Sequence, residues 1–125
     1  MQYQQFLQTV LHEASIIANA SFGKVSGVVK GSDNNQVLTE TDLAIGKLLI
    51  EKVQQTYPDY NSIDEETGVI DNHSEYTWVI DPIDGTSNFA VGVPTYGIMI
   101  GLLKDDESIA GGFVIPQTGE MYLAE

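Results

Sequence analysis

The spacing of the apolar residues changes near Tyr60, and this change constrains the fold more than any other feature of the chain. Apolar side chains between residues 6 and 20 recur at steps of three and four, which predicts an amphipathic helix. After Tyr60, short β-type runs predict strands at 61–64, 76–80, 96–103, 108–115 and 121–124. Turns at 105–106 and 116–119 would join the last three strands into a meander.

A second helix is expected before these strands, with Thr39 or Thr41 as its N-cap, Asp42 in its first turn and Pro58 beyond its end. Residues 23–35 are rich in Gly, Ser, Asp and Asn, and they predict a polar, turn-rich connection between the two helices. The order of elements predicts an α+β fold, in which two N-terminal helices pack on a largely antiparallel sheet.

The charge balance excludes several classes of partner. The chain has 125 residues, with 5 Lys and Arg against 18 Asp and Glu, which gives a formal net charge of −13. Nucleic acids and anionic membranes are therefore excluded, since both need a clustered basic surface. Cysteine is absent, so any bound metal is expected to have oxygen ligands. No apolar run approaches the ~18 residues of a membrane span, and we expect a cytoplasmic protein.

An apolar strand is followed directly by two aspartates, and this pattern suits a metal site. Pro82 fixes the backbone between Asp81 and Ile83, so a rigid loop can present Asp81, Asp84 and the Ile83 carbonyl to hard cations. Gly85 permits close approach of the backbone to a ligand. Alternatively, the Asp-Pro and Asp-Gly pairs simply mark the end of a strand.

Two neighbouring segments extend this pattern. Residues 86–88 can begin a short helix whose free N–H groups accept a phosphate. The second acidic segment, residues 63–66, also follows a β-type run. Taken alone, that segment is better explained as a solvated loop of a strongly acidic chain.

Residues 78–89 (WVIDPIDGTSNF) resemble the signature W-x-x-D-P-[IL]-D-G-T-x-N-F of the inositol monophosphatase-like phosphatases, which are magnesium-dependent and lithium-sensitive. Residues 39–42 resemble the family motif T-x-x-D, and Glu65 with Glu66 resembles its G-E-E motif. Residues 92–96 resemble its G-x-P-x-[FY] motif. The four motifs occur in the order that the family has.

The resemblance implies a ligand set for two or three Mg²⁺ ions, for which Mn²⁺ or Ca²⁺ can substitute. Glu65, Asp81 and the Ile83 carbonyl would hold the first ion. Asp81 would also bridge to a second ion, which Asp84 binds.

The resemblance also implies catalytic roles. Glu65 and Thr86 would orient the attacking water, and Asp42 would accept a hydrogen bond from Thr86. The backbone N–H groups of Gly85 and Thr86 would hold the substrate phosphate.

Three positions depart from the family pattern. Asp64 stands where the family usually has Gly, which adds a charge beside Glu65. Gln36 replaces a frequent Asp. Lys30 matches the family's loop lysine only with an offset of one residue, and its role stays open.

Family members are about twice as long, and their second half supplies a further metal-binding aspartate. We therefore expect residues 1–125 to be the N-terminal metal-binding half of such a domain, the first half of a layered αβαβα fold. In the family, the sheet of this half packs against elements that come later in the sequence. We therefore expect residues 1–125 to form a homo-oligomer such as a dimer, or to associate with a C-terminal half.

The implied function is Mg²⁺-dependent hydrolysis of inositol or sugar phosphomonoesters by a metal-activated water, within a longer or assembled enzyme. Alternatives are a catalytically silent metal-binding or regulatory half-domain, or a relative that acts on fructose bisphosphate, phosphoadenosine nucleotides or NADP.

Overall fold

A computed structural model describes residues 2–22, 31–65, 67–90 and 92–125, with the backbone alone described at residues 31–39, 87 and 90. The elements of these parts are, in chain order, α1 (Gln4–Ser21), α2 (Gly31–Thr56), β1 (Asn61–Asp64), β2 (Gly68–Ile70), β3 (Tyr76–Asp84), α3 (Thr86–Ala90), β4 (Gly97–Lys104), β5 (Glu107–Ile115) and β6 (Glu120–Ala124).

The strands form a six-stranded sheet in the order β2-β1-β3-β4-β5-β6. β1 pairs with β3 in parallel, with Asp64 beside Ile80, and the other neighbouring strands are antiparallel. The sheet is therefore mixed rather than uniformly antiparallel, and the expected meander is present as β4, β5 and β6. The prediction of an α+β fold is confirmed.

α1 and α2 cover one face of the sheet and form the core with it. α1 buries Leu7, Leu11 and Ala18, as its helical spacing predicts, and it packs on β4, β5 and β6. α2 packs on α1 and β3. Trp78 of β3 is fully buried under this layer, and its ring centroid lies 5.2 Å from that of Phe6. This packing determines which side chains of each strand face inward.

The predicted start of the second helix is wrong. α2 begins at Gly31, so Thr39 and Thr41 lie inside it and neither is its N-cap. The polar connection is correspondingly wrong for residues 31–35, and residues 23–30 lie outside the described residues. Polar residues cost only ~0.7 kcal/mol each or less relative to alanine in a helix, so they can extend a helix whose later turns bury Ile45, Leu49 and Val53.

The end of α2 is as predicted. The helix ends at Thr56, two positions before Pro58, whose ring disfavours helical backbone in the residue before it. Ile45, Leu49 and Val53 are buried at helical spacing in its second half.

Two features of the strands differ from the prediction. β2 is absent from the predicted set because its three residues are too short to show a period, and its pairing with β1 stabilises it. β3 continues past Ile80 to Asp84, and its register with β4 is irregular between Asp81 and Asp84. Pro82 lies within this irregular stretch, where it cannot donate a hydrogen bond to the sheet.

The second face of the sheet has no covering layer among the described residues. Val79, Met99 and Tyr122 are exposed there, on β3, β4 and β6. They line an apolar groove of 450 Å³ that runs across these strands and β5. Every helix in the described parts is too short or too polar to cross a lipid bilayer.

Gly97 on β4 has no room for a side chain, which leads to a stability prediction. The Phe113 ring and the Val114 carbonyl oxygen lie where a Cβ would point, whereas at Gly101 the nearest such atom is the Ala110 carbonyl oxygen, at 3.9 Å. We expect Gly97→Ala to lower the free energy of unfolding by ~1–3 kcal/mol because of this overlap. The control Gly101→Ala should change it by less than ~0.5 kcal/mol. Urea unfolding followed by circular dichroism measures both, and equal stabilities would contradict the packing.

Candidate metal and phosphate site

The end of β3 presents two carboxylates from a fixed backbone. Pro82 and Ile83 are buried, whereas the side chains of Asp81 and Asp84 are exposed. Asp81 pairs with Met99 of β4, and Asp84 pairs with Gly97. The strand is therefore held on both sides of the irregular stretch. The backbone thus directs the two aspartates outward from within β3, rather than from a loop after the strand as predicted.

Gly85 makes the turn from β3 into α3. Its φ is +87°, which favours glycine, and a Cβ there would lie 3.1 Å from the Thr95 carbonyl oxygen. The Phe89 N–H donates to the Gly85 carbonyl (3.1 Å), which closes the first turn of α3. Thr86 is the first residue of this helix and is exposed, so its hydroxyl and backbone lie at the surface beside Asp84.

A side-chain contact holds α3 against the loop that follows it. The Asn88 side-chain amide donates to the Thr95 carbonyl oxygen, at 2.8 Å, and to the Thr95 hydroxyl, at 3.2 Å. Asp84, Gly85 and Tyr96 line an open cleft of 350 Å³ together with these two residues. The cleft lies directly beside the predicted phosphate-binding groups.

The parallel pairing of β1 with β3 gathers acidic side chains at one edge of the sheet. The pKa of the Asp81 carboxyl is raised, first by partial burial and then by the negative charges of Asp84, Glu65 and Asp64. The carboxylates of Asp84 and Glu65 are therefore close enough to that of Asp81 to repel it. A divalent cation bound at this edge would reduce the repulsion between these carboxylates.

These side chains are not arranged as a finished coordination shell. In the described parts of the chain, no three His, Asp or Glu side chains converge closely enough to enclose a metal ion. The donors agree with a hard cation in chemistry and charge, because Glu65, Asp81, Asp84 and the Ile83 carbonyl all offer oxygen. The assignment of these residues as ligands stays a prediction.

Other predicted residues stand as follows. Asp42 is buried in α2, the helix that packs against α3, while its hydrogen bond with Thr86 stays a prediction. Lys30 and Glu66 lie outside the described residues, as does the side chain of Gln36.

The sequence prediction missed that Asp64 is buried rather than solvated. Its side chain is only 1% exposed, and it lies on the same face of β1 as Ser62. No local signal indicates this inward position, because side chains alternate along a strand and the apolar Ile63 lies on the opposite, exposed face.

The sequence matches the profile of the inositol monophosphatase family over residues 2–125. It is 37% identical to the inositol-1-monophosphatase ImpA of Mycolicibacterium smegmatis, over 97% of this chain and 45% of that protein. It is 30% identical to a fructose-1,6-bisphosphatase/inositol-1-monophosphatase of Aquifex aeolicus, over 85% of this chain and 40% of the relative.

The fold is likewise similar to that of a solved phosphatase. The crystal structure of inositol monophosphatase II from Staphylococcus aureus superposes on all of this chain with a TM-score of 0.83 at 28% identity, and 46% of that protein is covered. The chain belongs to the inositol monophosphatase family. It spans less than half the length of these relatives.

Proposed function

We propose that this chain supplies the metal-binding and phosphate-binding half of a Mg²⁺-dependent phosphatase for inositol or sugar phosphate esters. The observation that carries the proposal is the gathering of Glu65, Asp81 and Asp84 at the edge where β1 and β3 end. Family membership supports the class of reaction, and the names of the relatives in M. smegmatis and A. aeolicus support the class of substrate.

In this proposal, each residue at the edge has one task. Glu65, Asp81, Asp84 and the Ile83 carbonyl would hold divalent ions, which supply positive charge that acidifies a water and neutralises phosphate oxygens. Glu65 would also orient the attacking water.

Residues of α2 and α3 would position the reacting groups. The Thr86 hydroxyl would orient the same water as Glu65, and Asp42 would fix the direction of that hydroxyl. The Gly85 and Thr86 N–H groups would bind the phosphate where it borders the cleft beside Thr95. Asp42 is buried, so the packing of α2 would hold its side chain in place.

A catalytically silent metal-binding half-domain is the second candidate. The open arrangement of the carboxylates in the described parts of the chain favours it. In that case cations bind without turnover. Substrates such as fructose bisphosphate, phosphoadenosine nucleotides or NADP stay alternatives within the catalytic proposal.

Titration with Mn²⁺ tests the metal-binding part. We expect the chain to bind Mn²⁺, and Asp81→Asn to weaken binding by at least ~10-fold, because Asp81 would bridge two ions. Asp84→Asn should weaken it less, since Asp84 would contact one ion. Asp106→Asn, in the exposed turn between β4 and β5, is the control and should bind like the unmodified chain. Calorimetry measures the affinities, and equal binding by all four proteins would refute the assignment.

Phosphate release tests the catalytic part. We expect this chain to release phosphate from inositol 1-phosphate or fructose 1,6-bisphosphate slowly, only with Mg²⁺, and to lose the activity in Thr86→Ala. A colorimetric phosphate assay with and without a chelator measures it. No release by a chain that binds Mn²⁺ would favour the silent half-domain, and release that persists in the chelator would exclude the proposed mechanism.

We also propose that the apolar face of the sheet is covered in the assembled protein, by a second copy of this chain or by the polypeptide that relatives carry beyond the matched half. Val79, Met99 and Tyr122 expose 38%, 41% and 58% of their surface there. Such a patch favours association over exposure to water.

Light scattering tests the second copy as occupant. We expect a mass above that of the monomer, and Met99→Lys should shift the chain toward the monomer because a charge would be buried in the interface. Ile16→Lys is the control, since Ile16 is 60% exposed on α1, which lies across the sheet from this face. A monomer at all concentrations would exclude a second copy, and the occupant would then be the polypeptide that relatives carry beyond the matched half.

A further inference from the structure

Asp64 is a buried carboxylate at the end of β1. Only 1% of it is exposed, and the side chain lies under the helical layer between β1 and α2. Burying a carboxylate costs free energy unless polar contacts compensate it. Its position therefore calls for a specific set of contacts.

A glycine in α2 makes room for this carboxylate. The Oδ2 atom of Asp64 occupies the place that a Cβ at Gly46 would take, and the ring of Pro82 lies 3.5 Å from the same place. Alanine at a helix interior is normally more stable than glycine. Gly46 thus forms a notch in α2 into which the Asp64 side chain fits, beside the proline of the irregular stretch of β3.

The same oxygen also holds the turn after β1. The Thr67 hydroxyl donates to Asp64 Oδ2 at 2.9 Å, across the turn that contains Glu65. Asp64 is paired with Ile80, so the next residues along the two parallel strands are Glu65 and Asp81. One carboxylate oxygen therefore packs against α2 and accepts a hydrogen bond from the turn that carries Glu65, with the Pro82 ring of β3 beside the same notch.

We propose that Asp64 is a positioning residue, which fixes the turn to α2 so that the Glu65 carboxylate stays beside Asp81. The inference rests on the proposed function, in which Glu65 is a cation ligand. Asp64 stands where the resemblance leads us to expect Gly, and a glycine has no side chain to make these contacts.

Three measurements separate this role from a purely structural one. Amide hydrogen exchange of Glu65, Thr67 and Gly68 in chelator reports how firmly the turn is held, without any metal. Mn²⁺ affinity reports the consequence for the ligand. Thermal unfolding in chelator shows whether a variant is destabilised as a whole.

Three variants make the decisive series. Asp64→Ala and Thr67→Val should speed exchange in the turn and weaken Mn²⁺ binding, each on the order of 10-fold, the range typical of groups that orient metal ligands. Asp64→Asn keeps the shape and an acceptor for the Thr67 hydroxyl, so it should retain the exchange rates of the unmodified chain and most of its affinity. Thr9→Val, which removes an exposed hydroxyl on α1, is the control and should change neither.

The notch at Gly46 allows a second, independent test. Gly46→Ala should displace the Asp64 side chain, lower the thermal midpoint and speed exchange in the turn. In the Asp64→Ala background, the same Gly46→Ala change should instead raise the midpoint, because the helix propensity of alanine is then unopposed. Mn²⁺ binding should stay weak in the double variant.

The possible outcomes are distinct. Unchanged exchange in both Asp64→Ala and Thr67→Val would overturn the inference, as would faster exchange with unaltered Mn²⁺ affinity. Equal losses in Asp64→Asn and Asp64→Ala would assign the effect to charge instead of positioning. Failure of the unmodified chain to bind Mn²⁺ would instead remove the proposed function, and with it the ligand that Asp64 is proposed to position.

Discussion

The parallel pairing of β1 with β3 determines where acidic residues of this chain come together. The two strands run in the same direction and their pairing ends at Asp64 and Ile80, so the next residues, Glu65 and Asp81, lie at the same edge of the sheet. An antiparallel pairing would have sent Glu65 and Asp81 to opposite edges. The pKa of Asp81 is raised first by partial burial, then by Asp84 on the same strand, and only then by Glu65 and Asp64, the charges that this pairing brings near.

The helical layer supplies stability that can offset the repulsion among these carboxylates. α2 packs on β3 and α3, and the aromatic packing around Trp78 anchors the opposite end of β3. The hydrophobic free energy gained in this layer is available to offset the repulsion among carboxylates at the edge. The aromatic packing and the acidic residues thus lie at different ends of β3.

Much of this arrangement follows from the sequence. The spacing in α1 and the turns of the meander are local signals, and the motif at residues 81–86 identifies the carboxylates and the Gly85 turn. The start of α2 and the existence of β2 were not predictable in the same way, because a helix can extend through polar residues of weak preference and β2 depends on its pairing with β1.

The burial of Asp64 was missed for a related reason. An acidic segment in a chain of net charge −13 indicates a solvated loop, and only the position of α2 over β1 shows that this carboxylate is enclosed. Charge composition describes the average surface of a chain. The space for one buried side chain depends instead on Gly46, which lies in a different element and far from Asp64 in the sequence.

The meander of β4, β5 and β6 also has a consequence for the order of folding. Its strands are joined by short turns, so its contacts can form quickly, whereas α1 must close a loop of most of the chain to reach β5. We therefore expect the meander to form early and the helices to dock on it later. On this route the repelling carboxylates meet only when β1 joins a β3 that is already held by β4, so the electrostatic cost of bringing them together arises after much of the sheet has formed.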